Sequence, residues 1–280
     1  LLEGIQSGGA DLDSDGVIST SDLYQYCYSS VVDATDGEQR PVYSGIDVGG
    51  EFFVSYNRNR RFSALTTGID GCEMLIVPEG DCYLGDRVDP VQIPAYYIDA
   101  VPVTNEAYRK FVRDTGWRPP PHWRSTDWSP QHKDHPVVNV SYQDATGFAE
   151  WAGKRLPSSQ EWEKAARGPD GYTYPWGNAP TVAKCNVRES SSGGTTNVRN
   201  YRSGVSPFGV YDMAGNVWEW CATATSPGRR VLRGGSFNSP FAHARCDEEN
   251  DALESMMDDD TGFRCAADVD VALGLASIGG

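Results

Sequence analysis

The chain is short of positive charge. Among 280 residues, 24 lysines and arginines stand against 39 aspartates and glutamates, for a net charge of −15. A nucleic-acid binder needs a basic face for phosphates, and an anionic membrane surface selects the same sign, so neither is an expected partner. Histidine is scarce: His122, His132, His135 and His243 are the full set. No apolar run reaches the roughly 20 residues of a transmembrane helix. The opening "LLEGIQSGGADLDSDG" lacks an initiating Met and the basic and apolar regions of a signal peptide, so the expectation is a piece of a longer protein. The seven cysteines (Cys27, Cys72, Cys82, Cys185, Cys221, Cys246, Cys265) are odd in number and form no CxxC. That pattern favours reduced thiols and a cytoplasmic location over a disulfide framework.

What is present is core-forming material: 39% hydrophobic and 11% aromatic residues, enough for a packed interior. No internal repeat is found. The texture divides into residues 1–60, a polar linker at 61–71, and a larger domain at 72–270. The first part reads as helix, loop and helix, followed by a short hairpin over 41–56. In the larger domain, "MLIVPEGDCYLGD" and "VQIPAYYIDAVPVT" read as strands broken by Gly and Pro. Three helices follow. The first has Thr104 as N-cap and Gly116 just past its end. The second has Ser141 as N-cap, and the third has Ser158 or Ser159 with Glu161 completing a capping box. Beyond about residue 168 the chain is rich in Gly, Pro, Asn and Trp. The fold class is α+β and loop-rich.

"DLDSDGVISTSD" places Asp11, Asp13, Asp15, Val17, Ser19 and Asp22 at loop positions 1, 3, 5, 7, 9 and 12, with Gly16 at position 6. These are the EF-hand positions: oxygen ligands, one backbone carbonyl and a turning glycine. Asp at the last position reaches less far than Glu. The expected ion is calcium, with magnesium as the alternative at this site. An acidic turn that binds nothing is the plainer reading of the same residues.

The loop, "DLYQYCYSSV" and "GGEFFVSYNRN" together resemble the C-terminal end of bacterial caspase-like peptidase domains. This implies a caspase-like domain in the same polypeptide, with its catalytic residues upstream. A longer resemblance is carried by "YYIDAVPVTNEAYRKFV", "HPVVNVSYQDATGFAEWAGKRLPSSQEWEKAARG", "YPWGN", "GVYDMAGNVWEW", "RVLRGGSF" and "TGFRCA". In this order they resemble the formylglycine-generating-enzyme, or sulfatase-modifying-factor, family. The resemblance implies a C-type lectin fold. It also implies a calcium held by the side chains of Asp212 and Glu219 and the carbonyls of Gly215 and Val217. The residue-level alternative is a structural turn closed by hydrogen bonds.

The active enzymes of that family use two cysteines between "RGGS" and "GFRC". Here the first position is Ser239, and residues 240–245 contain no Cys. Cys246 and Cys265 match other, structural cysteines of the family. The related iron-dependent synthases need paired histidines, which four scattered ones do not supply. The segment between the two framework strands is acidic and unlike the family's usual Asn- and Arg-rich text, with Glu249 and "ESMM" (254–257) in its middle. The layout resembles the variable proteins of diversity-generating retroelements; ordinary drift in a loop is the alternative.

The expected function is therefore a non-catalytic ligand-binding domain, the recognition part of a caspase-like effector. Its binding face would comprise Phe237, Asn238, Ser239, Phe241, His243, Asp247, Glu248, Glu249, Asp251, Leu253, Glu254, Ser255, Met256 and Met257. Its ligand would be a protein or other macromolecule, with the acids favouring a basic one. Two rivals remain: a metal-dependent oxidase of the formylglycine-generating type, and a structural or regulatory domain of a peptidase.

Overall fold

The computed structural model describes residues 69–85, 89–123 and 130–269, together with 17–19, 53–56, 65–66 and a few positions between 24 and 35. The chain divides into two compact units, Leu1–Ser63 and Ala64–Gly280.

In the first unit, β1 (Val17–Ser19) pairs antiparallel with β2 (Phe53–Tyr56), Val17 lying opposite Tyr56. Val17 and Ser19 thus enter as strand backbone. Asp11, Asp13, Asp15 and Asp22 lie outside the described residues, as does the first arm of the hairpin expected over 41–56.

The second unit opens with β3 (Leu65–Thr66), β4 (Glu73–Val77), β5 (Gly80–Cys82), β6 (Val91–Ile93) and β7 (Tyr96–Asp99). Three helices follow: α1 (Asn105–Thr115), α2 (Tyr142–Trp151) and α3 (Ser159–Arg167). The chain then forms β8 (Trp218–Ser226), β9 (Arg229–Arg233), β10 (Glu249–Leu253), β11 (Thr261–Gly262) and β12 (Ala266–Asp268). Two four-stranded sheets result, with orders β12-β7-β4-β3 and β10-β9-β8-β11, beside a β5-β6 ribbon. Among the strands of the described residues, β11 alone runs parallel to its neighbour, β8. The residues between α3 and β8 are short turns and 3₁₀ pieces, the loop-rich half of an α+β fold.

The helices start and stop where local chemistry dictates. Thr104 is extended and its hydroxyl accepts from the Ala107 N–H, while Gly116 closes α1 at φ 72 and donates to Val112 O. Ser141 with Asp144, and Ser158 with Glu161, form complete capping boxes on α2 and α3. The buried faces of α1 and α2 meet in an aromatic core: Tyr108 stacks on Phe148 at 5.8 Å, and both meet Phe263 edge-on at 6.3 and 5.4 Å. Rings of this size bury large apolar area and prefer these offset and T-shaped contacts.

Several charges are buried in pairs. Lys154 is fully enclosed between Asp70 (2.6 Å) and Asp99 (2.7 Å). Glu163 receives Arg167 and Arg233, each at 2.9 Å. All seven cysteines are free thiols. Burial pushes the Cys185 thiol up to about 12, away from reactivity. Among the described residues no helix is long and apolar enough to cross a membrane.

Candidate functional site

The site is built where two turns lock together. In "GVYDMAGNVWEW", Asp212, Gly215 and Asn216 take positive φ (54, 75 and 66). A Cβ on Gly215 would lie 2.2 Å from the Asn186 carbonyl oxygen, so only glycine fits. The Gly215 N–H donates to Gly234 O (2.7 Å), and Phe237 N–H donates to Asn216 O (3.0 Å). The turn before β8 is thereby stitched to the "RGGSF" turn after β9.

Beneath this junction lies Glu219, 1% exposed. Arg264 bonds both its oxygens, from Nε to Oε2 (2.7 Å) and from Nη2 to Oε1 (2.8 Å), and Trp162 Nε1 adds a third bond to Oε2 (2.7 Å). Asp212 is also buried and accepts from the Arg199 N–H at 3.2 Å. Burial, reinforced by the Glu219 charge, raises the Asp212 carboxyl to about 6. The donor set fits calcium in part. Asp212 carries an incompletely compensated buried charge, while the Gly215 carbonyl already accepts from the Val217 N–H (3.0 Å). Glu219, with four lone-pair sites and three donors, retains one direction, on Oε1. Both Glu219 oxygens are thus engaged by Arg264, a residue not singled out from the sequence.

Beyond "RGG" comes a short polar chain. Ser236 Oγ donates to Asp260 Oδ2 (2.6 Å) and shares a hydrogen bond with Ser239 Oγ (2.9 Å). Ser239 is 7% exposed, so it does not face solvent as expected; its backbone carbonyl is taken by Arg188 N–H. The hydroxyl is polar, and burial is tolerated because Ser236 satisfies it.

The acidic segment is held by the arginines of β9 and its surroundings. Asp247 pairs with Arg245 (2.7 Å) and Glu248 with His243 (2.8 Å). Glu249 pairs with Arg233 (3.1 Å), Asp251 with Arg229 (2.5 Å) and Glu254 with Arg230 (2.8 Å). The register explains this: β10 runs antiparallel to β9, Glu249 opposite Arg233 and Leu253 opposite Arg229. The expected row of acids free for a basic partner is thus largely neutralised from within.

Other members of the expected face are divided. Asn238, Glu249, Leu253, Ser255 and Met257 are exposed, whereas Phe237 is half-buried and Met256 packs against the main core. Phe241 stacks on Tyr174 at 5.0 Å, and Tyr174 stacks on Trp176 at 5.2 Å. His243 lies 6.1 Å from the Trp218 ring. Leu253 (54%) and Met257 (37%) are two of the five exposed large hydrophobics among the described residues.

Residues 62–269 match the family described as "Sulfatase-modifying factor enzyme 1-like domain". The chain belongs to the sulfatase-modifying-factor family. Three relatives frame its range. The serine/threonine-protein kinase Pkn1 of Chlamydia trachomatis is 35% identical over 217 residues, covering 65% of this chain and 34% of that protein. The formylglycine-generating enzyme of Streptomyces coelicolor is 37% identical over 202 residues, covering 59% and 62%. The inactive C-alpha-formylglycine-generating enzyme 2 of Mus musculus is 31% identical over 239 residues, covering 63% and 76%. The chain thus spans less than two thirds of the first two. Among solved structures, PvdO from Pseudomonas aeruginosa superimposes with TM-score 0.60 at 24% identity, covering 71% of this chain and 95% of that one. Treponema denticola variable protein 1 gives 0.59 at 21%, covering 70% and 95%. Both share the C-type lectin fold of this family. The family therefore holds enzymes and an inactive protein alike, and the distinction for this chain falls on its own residues.

Proposed function

We propose that this sulfatase-modifying-factor domain is a non-catalytic binding module whose recognition surface is the outer part of residues 237–257. The carrying observation is the exposure of Leu253 and Met257 on a segment whose acids are already paired. Exposed apolar groups beside neutralised charge are costly in water and form anchors for a protein partner. Asp258 and Asp259, exposed at the end of the segment, are the acids best placed to complement a basic rim on that partner. The Treponema neighbour's description as a variable protein supports the same reading. So does the serine at position 239 and the absence of Cys from 240–245, where copper-thiolate chemistry would need two soft ligands.

A calcium at Asp212, Gly215, Val217 and Glu219 is part of this proposal; it would supply structural charge to the buried Asp212 carboxylate. A second ion, calcium or magnesium, at the 11–22 loop and a caspase-like domain in the same polypeptide rest on sequence alone.

The test has two arms. The chain is incubated with copper, oxygen and a Cys-containing sulfatase-motif peptide, and the product is weighed; mass loss to an aldehyde would establish the oxidase reading instead. Peptides selected from a displayed library against the parent are then offered to Leu253→Ser/Met257→Ser. Loss of binding with unchanged melting supports the face, and undiminished binding refutes it.

A further inference from the structure

Met257, 37% exposed, forms one wall of a pocket of about 60 Å³. Val140 and the prolines at 119–121 supply further apolar wall, and Arg118, Asn139 and Asp144 complete the lining. The pocket is tied by backbone to the segment that carries Leu253 and Met257. Asn139 N–H donates to Asp258 O (2.9 Å) and Tyr142 N–H donates to Glu254 O (3.1 Å), so residues 139–142 are held against residues 254–258.

The walls decide what can enter. Asp144 already accepts from Trp117 Nε1, from Arg118 Nε and Nη2, and from Ser141 N and Oγ. Arg118 spends those two nitrogens on Asp144, and the two charges cancel. The Asn139 amide nitrogen lies 3.3 Å from His122 Nδ1. The polar side chains are thus engaged within the protein, and the contact on offer is that of Met257, Val140 and the prolines. Size narrows the choice further. An apolar cavity of about 150 Å³ holds a benzene ring, whereas one water needs roughly 10–15 Å³. At about 60 Å³ the pocket is too small for a ring and suits roughly three or four carbon atoms, the branched end of a valine, leucine or isoleucine.

Charge adds a second requirement. Upstream acids are paired, Asp251 with Arg229 and Glu254 with Arg230. Asp258 and Asp259 follow Met257 directly, are exposed, and form no ion pair among the described residues. Burial raises the neighbouring Asp260 carboxyl, and the charges of Asp258 and Asp259 add to that rise, the mark of an acidic rim with no local cation.

We propose that the Met257 pocket is the anchor socket of the recognition face, taking a short branched aliphatic side chain flanked by lysine or arginine on a protein partner. This rests on the binding-module reading and names its ligand class. The aliphatic group fills the apolar walls, and the flanking cations meet Asp258 and Asp259.

The test uses the 280-residue chain labelled with ¹³C-methyl methionine, which gives four reporters: Met74, Met213, Met256 and Met257. Met74 and Met213 are 0% exposed and serve as references. The probe is N-acetyl-lysyl-leucyl-lysinamide. The expected result is a saturable shift of the Met257 methyl, with affinity at least about fivefold lower when the leucine is replaced by alanine or by phenylalanine. Replacing both lysines by glutamates should lower it by at least about threefold. Asp258→Asn/Asp259→Asn should erase the preference for lysine and keep the preference for leucine. Leu253→Ser should leave the affinity unchanged, because Leu253 does not line the pocket. No saturable Met257 shift by about 50 mM peptide, far above a millimolar Kd, overturns the proposal. So does equal affinity for the leucine and alanine peptides, or an equal loss in Leu253→Ser, which would assign binding to the apolar face at large. If peptides selected from a displayed library still bind the parent, such a result removes the socket and leaves the binding face. If they do not bind, the binding-module reading falls with it.

Discussion

Arg264 lies fully buried and grips both carboxylate oxygens of Glu219, at 2.7 and 2.8 Å. The same guanidinium also donates to the carbonyls of Asp99 (3.1 Å) and Tyr211 (2.8 Å), so one side chain ties β8 to the end of β7 and to the turn that holds Asp212. Removing one partner of such a pair leaves the other charged and dry. Glu219→Gln is expected to cost about 3–5 kcal/mol in urea unfolding. A loss below about 1 kcal/mol would mean that water or an ion reaches Arg264 readily.

Calcium at this junction is expected to raise the melting temperature of the parent relative to a chelator, because an ion that binds only the folded state stabilises it by mass action. Asp212→Asn should abolish that difference. An equal calcium shift in Asp212→Asn would remove Asp212 from the ligand set.

Asp144 gives a prediction in pH. Burial alone would raise its carboxyl, but the bonds from Arg118, Trp117 and Ser141 outweigh burial and hold it below the usual range. A depressed folded value means the unfolded chain takes up the proton first. The stabilisation is therefore complete above the unfolded value of about 4 and disappears as pH falls through the folded one. Asp144→Asn is expected to flatten the acid side of the stability profile and to cost about 1–3 kcal/mol at neutral pH, tempered by the solvent around Arg118. An acid limb identical to the parent's would assign the slope to other carboxylates.

The β10 register predicts opposite outcomes at adjacent positions. Leu253→Ser should change stability by about half a kcal/mol or less, since the side chain faces water. Ala252→Asp should cost several kcal/mol, because Ala252 is 5% exposed and packs in the main core. Similar melting temperatures for the two variants would show that β10 sits one residue out of this register.

Gly215→Ala is expected to destabilise by at least about 2 kcal/mol. It combines positive φ with a Cβ against a backbone carbonyl that cannot yield. A neutral substitution would mean that the Asn186 loop moves freely.

The sequence made the helices legible because their signals are local. Thr104, Ser141, Ser158 and Gly116 each act within one turn, and each occupies its expected cap. Phe263 lies in the core. Arg264, its neighbour, was not legible: its partner Glu219 is 45 residues away, and the third member, Trp162, lies 57 residues from Glu219. Charge is read from sequence as solvent-facing by default, and only tertiary pairing reverses that default for Arg264, Lys154 and Glu163. The acidic segment failed differently. Its acids were visible, and so were the arginines of "RRVLR", but the pairing follows from strand register, which composition does not contain.

The arginines that neutralise Asp251, Glu254 and Glu249 belong to β9, a framework strand outside the irregular stretch. Any substitution that deletes one of these acids does more than subtract a negative charge. It releases a guanidinium that the scaffold already holds in position, ready to grasp a carboxylate or stack on a ring. A replacement on β10 would therefore alter what β9 displays, and a single loss of an acid would turn a neutral patch into a cationic grip without any new basic residue.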